Sequence, residues 1–356
     1  MIAGRKKTKV ISIGDVKIGG LEPVRVQSMT NTDTRDAVST LDQIKELYEE
    51  GCEIVRVSVK DEESAASLRE ITDKSPIPVV ADIHFNYRLA IMSVEAGARG
   101  LRINPGNIGG EQKVREVVKC ARDYQVPIRV GVNAGSLEKG IEEKYGGPTP
   151  EALVESALSH VRLIERCGYD AIKISLKASD PVTVIEGYSL LSQTVDYPLH
   201  LGVTEAGTVL AGSVKSSVAL GVLLSQGIGD TIRVSLTGPP VEEVRVAYMI
   251  LASLGLRQRK GIEIISCPVC GRCEWDLEDK AAEIEAATRN IRVPLKVAVM
   301  GCAVNGPGEA KLADIGVAGG RGECLLFKKG RVVGKVAEDQ VVEVLLREIR
   351  EMTNRR

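Results

Sequence analysis

The chain has 356 residues, too many for one small domain and close to the size of a (β/α)8 barrel with an appended module. Hydrophobic residues make up 44% and predict a sizeable core, whereas aromatics at 3% and a formal net charge of -1 argue against a base-stacking nucleic-acid surface or a field that recruits anionic membrane. The basic start, Met1 to Val10, is not followed by an apolar leader core, and no apolar run approaches membrane-spanning length, so a cytoplasmic location is expected.

Taken in order, eight runs rich in branched aliphatics read as strands: Val26–Met29, Ile54–Val59, Val79–Ile83, Leu101–Asn104, Ile128–Val132, Ala171–Leu176, Leu199–Thr204 and Thr231–Leu236. Glycines at 51, 97 and 168 each follow an amphipathic stretch and precede a basic residue five positions on (Arg56, Arg102, Lys173). Gly227 leads to Arg233 with one extra residue. These glycines read as helix ends that feed strands. Strand alternating with helix implies a parallel sheet, most economically a closed (β/α)8 TIM-type barrel over residues 1–255. No G-x-G-x-x-G follows the first strand, so a dinucleotide fold is unsupported. Cys52, Cys120 and Cys167 stand singly in apolar or helix-end contexts and read as small buried hydrophobes.

The side-chain phase says more. Successive strand residues face opposite ways, so Arg56 with Ser58, Arg102 with Asn104, Arg129 with Asn133, Lys173 with Ser175 and Lys177, and Arg233 with Ser235 share one face. The branched aliphatics take the other, which packs under helices. The cations then lie inside the barrel or at its C-terminal mouth, with Asp82 and Glu205 as candidate counter-charges. Unpaired buried charge costs several kcal/mol per ion, so this surplus predicts a polyanionic ligand. His84 shares the face of Asp82 at a strand end. His160 and His200 carry no assignment. The turn-rich stretch 135–150 is expected to be a non-helical loop over the mouth.

After an amphipathic helix over Val241–Leu254 and a linker over Gly255–Gly261, residues 256–356 read as a small α+β module. It contains strands Ile262–Ile265 and Leu295–Met300, a helix with a stripe of Leu277, Ala281, Ile284 and Ala287, a hairpin of Cys324–Phe327 with Val332–Val336, and a closing helix Asp339–Met352. Cys267-Pro-Val-Cys270-Gly-Arg-Cys273 and Gly301-Cys302-Ala-Val-Asn305-Gly-Pro-Gly-Glu309 carry its chemistry. Two-residue cysteine spacing fits a soft metal, a zinc knuckle or an iron–sulfur cluster. Glu309 is a hard, weak partner for iron. A cluster held by three thiolates and one carboxylate has one iron that opens easily, which suits catalysis better than scaffolding.

These two signatures resemble the cluster-binding motifs of the 4-hydroxy-3-methylbut-2-enyl diphosphate synthase family, the reductive ring-opening enzymes of the non-mevalonate isoprenoid pathway, and the resemblance runs through the barrel strands. It implies a [4Fe-4S] cluster on Cys267, Cys270, Cys302 and Glu309, with Cys273 as a bystander. It implies diphosphate contacts from Arg56, His84, Arg102, Arg129, Asn133, Lys177, Arg233 and Ser235, and catalytic roles for Glu205, near the reacting carbons, and Asn305. Flavodoxin or ferredoxin would supply electrons, and a homodimer would complete the site with the cluster module of a second subunit. The expected reaction converts 2-C-methyl-D-erythritol 2,4-cyclodiphosphate to 4-hydroxy-3-methylbut-2-enyl diphosphate. Two other readings fit the sequence less well. A pterin-binding barrel resembling dihydropteroate synthase has no use for Cys267, Cys270 and Cys302, and a zinc-stapled nucleic-acid module lacks the basic, aromatic surface it needs.

Overall fold

The computed structural model describes residues 4–259, 261–302 and 306–354, without the side chains of 307, 309 and 310. The chain divides into two compact units, Met1–Arg257 and Gln258–Arg356.

The first unit opens with a hairpin that the sequence reading missed, β1 (Ile11–Ile13) paired antiparallel with β2 (Val16–Ile18). There follow β3 (Arg25–Met29), α1 (Ala37–Glu50), β4 (Ile54–Ser58), α2 (Glu62–Lys74), β5 (Val79–Asp82), α3 (Tyr87–Glu95), β6 (Gly100–Ile103), α4 (Pro105–Ile108), α5 (Glu111–Asp123) and β7 (Ile128–Asn133). Then come α6 (Lys139–Tyr145), α7 (Pro150–Arg166), β8 (Ile172–Lys177), α8 (Pro181–Thr194), β9 (His200–Leu201), α9 (Val209–Ser225), β10 (Thr231–Ile232) and α10 (Pro240–Ser253). The parallel strands run in the order β8-β7-β6-β5-β4-β3-β10-β9. A bridge between Ile174 and Leu199, with the Ile174 amide donating to the Pro198 carbonyl at 3.0 Å, all but closes the ring. This is a TIM-type barrel, as expected.

Local chemistry sets the junctions. The four repeat glycines, 51, 97, 168 and 227, all have positive φ and stop helices where a side chain would be strained. At the other ends of the helices, Asp61, Asn86, Asn104 and Asp180 follow the strands and accept a backbone N–H from the first helical turn. The last two strands are shorter than predicted. Beyond Leu201 and Ile232 the ladder pairing of β9 and β10 stops.

Branched aliphatic residues of the strands, such as Val55, Val57, Leu101, Ile128, Ile172 and Ile174, join helix side chains in one continuous core. Ile11, Ile13 and Ile18 of the hairpin pack on Ile54 and Val80 inside the ring and plug its N-terminal end. Stretch 135–150, expected to lack helix, contains α6. Lys144 and Tyr145 both bond Glu155 on α7, and this tertiary anchor stabilises a helix too short to stand alone.

The second unit is a five-stranded sheet in the order β11 (Ile262–Ser266), β12 (Leu295–Met300), β13 (Ile315–Gly319), β14 (Glu323–Lys328), β15 (Arg331–Ala337). β11 to β13 are parallel and the remaining pairings antiparallel; β13 was not anticipated from the sequence. Helix α11 (Leu277–Thr288) and, beyond the short α12 (Gly306–Glu309), helix α13 (Val341–Asn354) bury Leu277, Ile284, Val341, Leu345 and Ile349 on one face of the sheet. Among the described residues no helix is long and apolar enough to cross a membrane.

Candidate functional site

The period-two alternation of the strands puts Arg56, Asp82, Arg102, Arg129, Lys173 and Lys177 inside the barrel, and all six are buried. In register, Arg102, Arg129 and Lys173 are direct neighbours across β6, β7 and β8, a row of three cations. Asp82 answers part of it, 3.2 Å from Arg102 Nη1 and 3.4 Å from Arg56 Nε. Burial pushes the Asp82 carboxyl up, but Arg56, Arg102 and Arg129 outweigh it and bring the pKa down to about 2. Among the described residues, Arg102 Nε and Arg129 Nε and Nη1 are buried with no hydrogen-bond partner. Burial, reinforced by Arg233, Arg56 and other cations, holds Lys177 well below the usual lysine value. Lys173 is lowered for the same reason, with Arg129 as its main repelling neighbour.

Arg233 is half-buried and pairs with Glu243 at 3.3 Å; Glu243 also accepts from Ser28 Oγ at 2.9 Å and the Leu236 amide at 3.1 Å. This counter-charge comes from the first turn of α10. The strand pattern could not reveal it, because its side chain reaches the strands from a helix. Glu205, expected among the cations, is instead exposed and makes no ion pair among the described residues. Its φ of 51° is the left-handed region, uncommon for a residue with a side chain and a mark of local strain at the mouth.

His84 is about half exposed and its Nε2 lies 3.7 Å from Asp82 Oδ2. Asn133 ends β7 at the rim, and Ser235 Oγ is buried without a partner among the described residues. Two glycines that strand reasoning passed over make the room. A Cβ on Gly131 would lie 2.6 Å from Arg102 Nε, and one on Gly202 would lie 2.5 Å from the Arg233 carbonyl and 3.4 Å from Lys177 Nζ. A glycine on the cationic face of a strand was the available signal. His160, left unassigned, pairs through Nε2 with Glu138 Oε1 at 2.5 Å and so ties the segment after β7 to α7.

In the second unit, β11 and β12 run parallel with Ser266 opposite Val299, so Cys267 and Cys302 leave neighbouring strands at the same end. The Gly301 amide donates to Cys267 Sγ at 3.1 Å. The Cys273 amide donates to the Cys270 carbonyl at 2.9 Å and closes a turn that leaves Cys270 exposed. Gly306 is obligatory in the second signature, since a Cβ there would stand 2.6 Å from Ala318 Cβ. Among the described residues no three His, Cys, Asp or Glu side chains are gathered tightly enough to hold one metal ion. Asn305 lies outside the described residues, as does the Glu309 side chain. The donor chemistry nonetheless fits an iron–sulfur group. Soft thiols sit at the ends of adjacent strands, and a backbone N–H is already aimed at one sulfur, the kind of hydrogen bond that stabilises a cluster thiolate. Cys324, in contrast, is fully buried in β14.

Residues 8–248 match the GcpE TIM-barrel domain and residues 263–351 the GcpE protein C-terminal domain. The chain is 59% identical over 352 residues to a protein of Caldanaerobacter subterraneus subsp. tengcongensis named 4-hydroxy-3-methylbut-2-en-1-yl diphosphate synthase (flavodoxin), covering 99% of both chains. It is 59% identical over 345 residues to the Geobacter sulfurreducens protein of that name, covering 97% of this chain and 98% of the relative. The crystal structure of dihydropteroate synthase from Stenotrophomonas maltophilia superposes with a TM-score of 0.50 at 14% identity, over 70% of this chain and all of that one; this likeness is one of barrel fold alone. With both of its units matched and whole-length relatives at this identity, the chain belongs to the GcpE family.

Proposed function

We infer that the chain is a 4-hydroxy-3-methylbut-2-en-1-yl diphosphate synthase, an oxidoreductase that reduces a cyclic diphosphate to its open-chain allylic diphosphate with loss of water. The observation that carries the substrate side is the buried row of Arg102, Arg129 and Lys173, whose charge Asp82 answers only in part. A diphosphate supplies the missing negative charge and takes bidentate hydrogen bonds from the idle guanidinium nitrogens. Arg56, Arg102, Arg129, Lys177 and Arg233 hold its oxygens, Ser235 and Asn133 fix its orientation, and His84 closes the rim. Asp82 and Glu243 keep Arg56, Arg102 and Arg233 in place before the ligand arrives. Glu205, held at the mouth in a strained backbone, is the acid/base or charge-stabilising group near the reacting carbons, with Asn305 assisting.

In the second unit Cys267, Cys270, Cys302 and Glu309 are the ligands of a [4Fe-4S] cluster. When bound, that cluster supplies single-electron reduction and a readily opened iron, with flavodoxin or ferredoxin as the donor. Two electrons and two protons per turnover open the ring and release one water, and the barrel's role is to hold the diphosphate as negative charge builds on the oxygen freed from the ring.

A homodimer belongs to the same reading. Leu210, Val214, Val218 and Val222 form an exposed apolar stripe at four-residue spacing along α9, a face suited to a second copy. Val214→Glu should convert a dimer to monomer by light scattering; a parent chain that is already monomeric contradicts this part.

The experiment for the whole reading is iron, sulfide and zinc analysis of anaerobically purified protein. About four irons per chain, as a [4Fe-4S] group requires, support it. Stoichiometric zinc without iron overturns it.

A further inference from the structure

The proposed ligand set leaves one thiol of the cysteine turn unused. Cys273 is half-buried, and its Sγ donates to the Trp275 carbonyl at 3.2 Å. Trp275 is itself fixed, because its indole lies against Gly319, where a Cβ would come within 2.1 Å of the ring nitrogen. The sulfur of Cys273 is thereby held toward Gly301. A Cβ built on Gly301 would stand 3.0 Å from Cys273 Sγ and 3.3 Å from Cys267 Sγ, so the two sulfurs flank one glycine and lie within the sum of those distances of each other. With no side chain on Gly301, the space a Cβ would fill beside both sulfurs is left open. The third nearest atom is Leu277 Cδ2, not Cys270, whose thiol faces solvent. A disulfide requires sulfurs about 2.05 Å apart, and side-chain rotation has to close the remaining gap.

We propose that in the chain lacking its cluster Cys267 and Cys273 form a reversible disulfide, which protects Cys267 from irreversible oxidation until a cluster is assembled. The protective role rests on reading Cys267 as a cluster ligand; the bond itself does not. With a peroxide as oxidant, the Cys267 sulfur attacks one peroxide oxygen, the O–O bond breaks, and hydroxide leaves to be protonated to water. The Cys273 sulfur then attacks the sulfenic sulfur, expelling a second hydroxide that also becomes water. Two electrons pass from the sulfurs to the peroxide, and both thiol protons end in water. A dithiol reductant reverses the bond by exchange.

The test uses the full chain, stripped of iron with a chelator, treated with a stoichiometric amount of hydrogen peroxide, alkylated and digested with trypsin without reduction. Cleavage after Arg272 separates Cys267 and Cys270 from Cys273, so the bond joins peptides 261–272 and 273–280, and fragmentation assigns it to Cys267 or Cys270. The expected cross-link is Cys267–Cys273. Cys273→Ser should take up as much iron as the parent when never oxidised. After a several-fold excess of peroxide and re-reduction it should recover several-fold less iron than the parent treated alike, with Cys267 found as sulfinic or sulfonic acid. A cross-link at Cys270, alkylated Cys273 after peroxide, or equal iron recovery by the variant overturns the proposal. Parent protein that binds no iron even before oxidation removes the cluster reading separately, leaving the mapped bond intact.

Discussion

The two units treat polar side chains in opposite ways. The barrel buries Arg56, Asp82, Arg102, Arg129, Lys173, Lys177, His200, Asp230 and Glu243, whereas the buried polar set of the second unit, among the described residues, is Thr288 alone. The second unit instead keeps thiols at strand ends, with Cys267 following β11 and Cys302 following β12. A barrel whose interior is preloaded with charge is costly without a ligand and selective with one. A dry sheet carrying cysteines at its edge costs little without one. The difference teaches that charge surplus within a core points to a substrate, and ligand spacing in a turn points to a cofactor.

The largest expected effect separates the units outright. Cys267→Ala or Cys302→Ala should lose most of the iron while leaving diphosphate binding by the barrel unchanged, whereas Cys273→Ala, purified anaerobically, should keep full iron. Loss of iron from Cys273→Ala alone would redraw the ligand set.

Next comes Asp82→Asn, which removes the counter-charge of two buried arginines and should cost about 3–5 kcal/mol of barrel stability in denaturant titration. Because the folded pKa of Asp82, about 2, lies below its unfolded value, its contribution is fully present above pH ~4 and fades as pH falls through the folded value. A parent barrel whose pH 3 to pH 7 stability difference is unchanged in Asp82→Asn would contradict this account.

Smaller again is Arg129→Met. It should weaken binding of the cyclic diphosphate by about 1–3 kcal/mol, as for a lost charged hydrogen bond, and yet raise the melting temperature of the ligand-free protein, because a buried unpaired cation is gone. Affinity and stability falling together would mean that Arg129 is structural.

The smallest effect is a fraction of a proton. Lys177 is held well below its ordinary value by burial and by neighbouring cations, so an arriving diphosphate raises its pKa and draws a proton from solution. Calorimetric binding enthalpies in buffers of different ionisation heat should reveal uptake in the parent and less of it in Lys177→Met. Equal uptake in both would remove Lys177 from the site.

Much of this was legible in the sequence, because period-two alternation is a local property. Arg56, Arg102, Arg129, Lys173 and Lys177 could be placed inside the barrel from their neighbours Val55, Val57, Leu101, Val130 and Ile174 alone. What escaped depends on contacts distant in sequence. Glu243 reaches the barrel from a helix, α6 is held by Glu155, and the β1–β2 plug is defined by Ile54 and Val80, which lie well beyond it in the chain. Glu205 follows a predicted strand and is expected among the cations, but the strand stops at Leu201, the backbone then turns through a left-handed residue at 205, and the side chain is exposed. The family resemblance makes Cys273 a bystander, and only the Gly301 contact puts it beside Cys267.

The most direct test of the central claim is an anaerobic assay with chemically reduced flavodoxin in which phosphorus NMR follows 2-C-methyl-D-erythritol 2,4-cyclodiphosphate. The account predicts that the cyclic diphosphate signals give way to those of an open-chain diphosphate, in step with flavodoxin oxidation at two electrons per molecule, and that Glu205→Gln with a full complement of iron binds the substrate but leaves it cyclic. Protein carrying its full complement of iron that binds the cyclic diphosphate and never opens it would contradict the account.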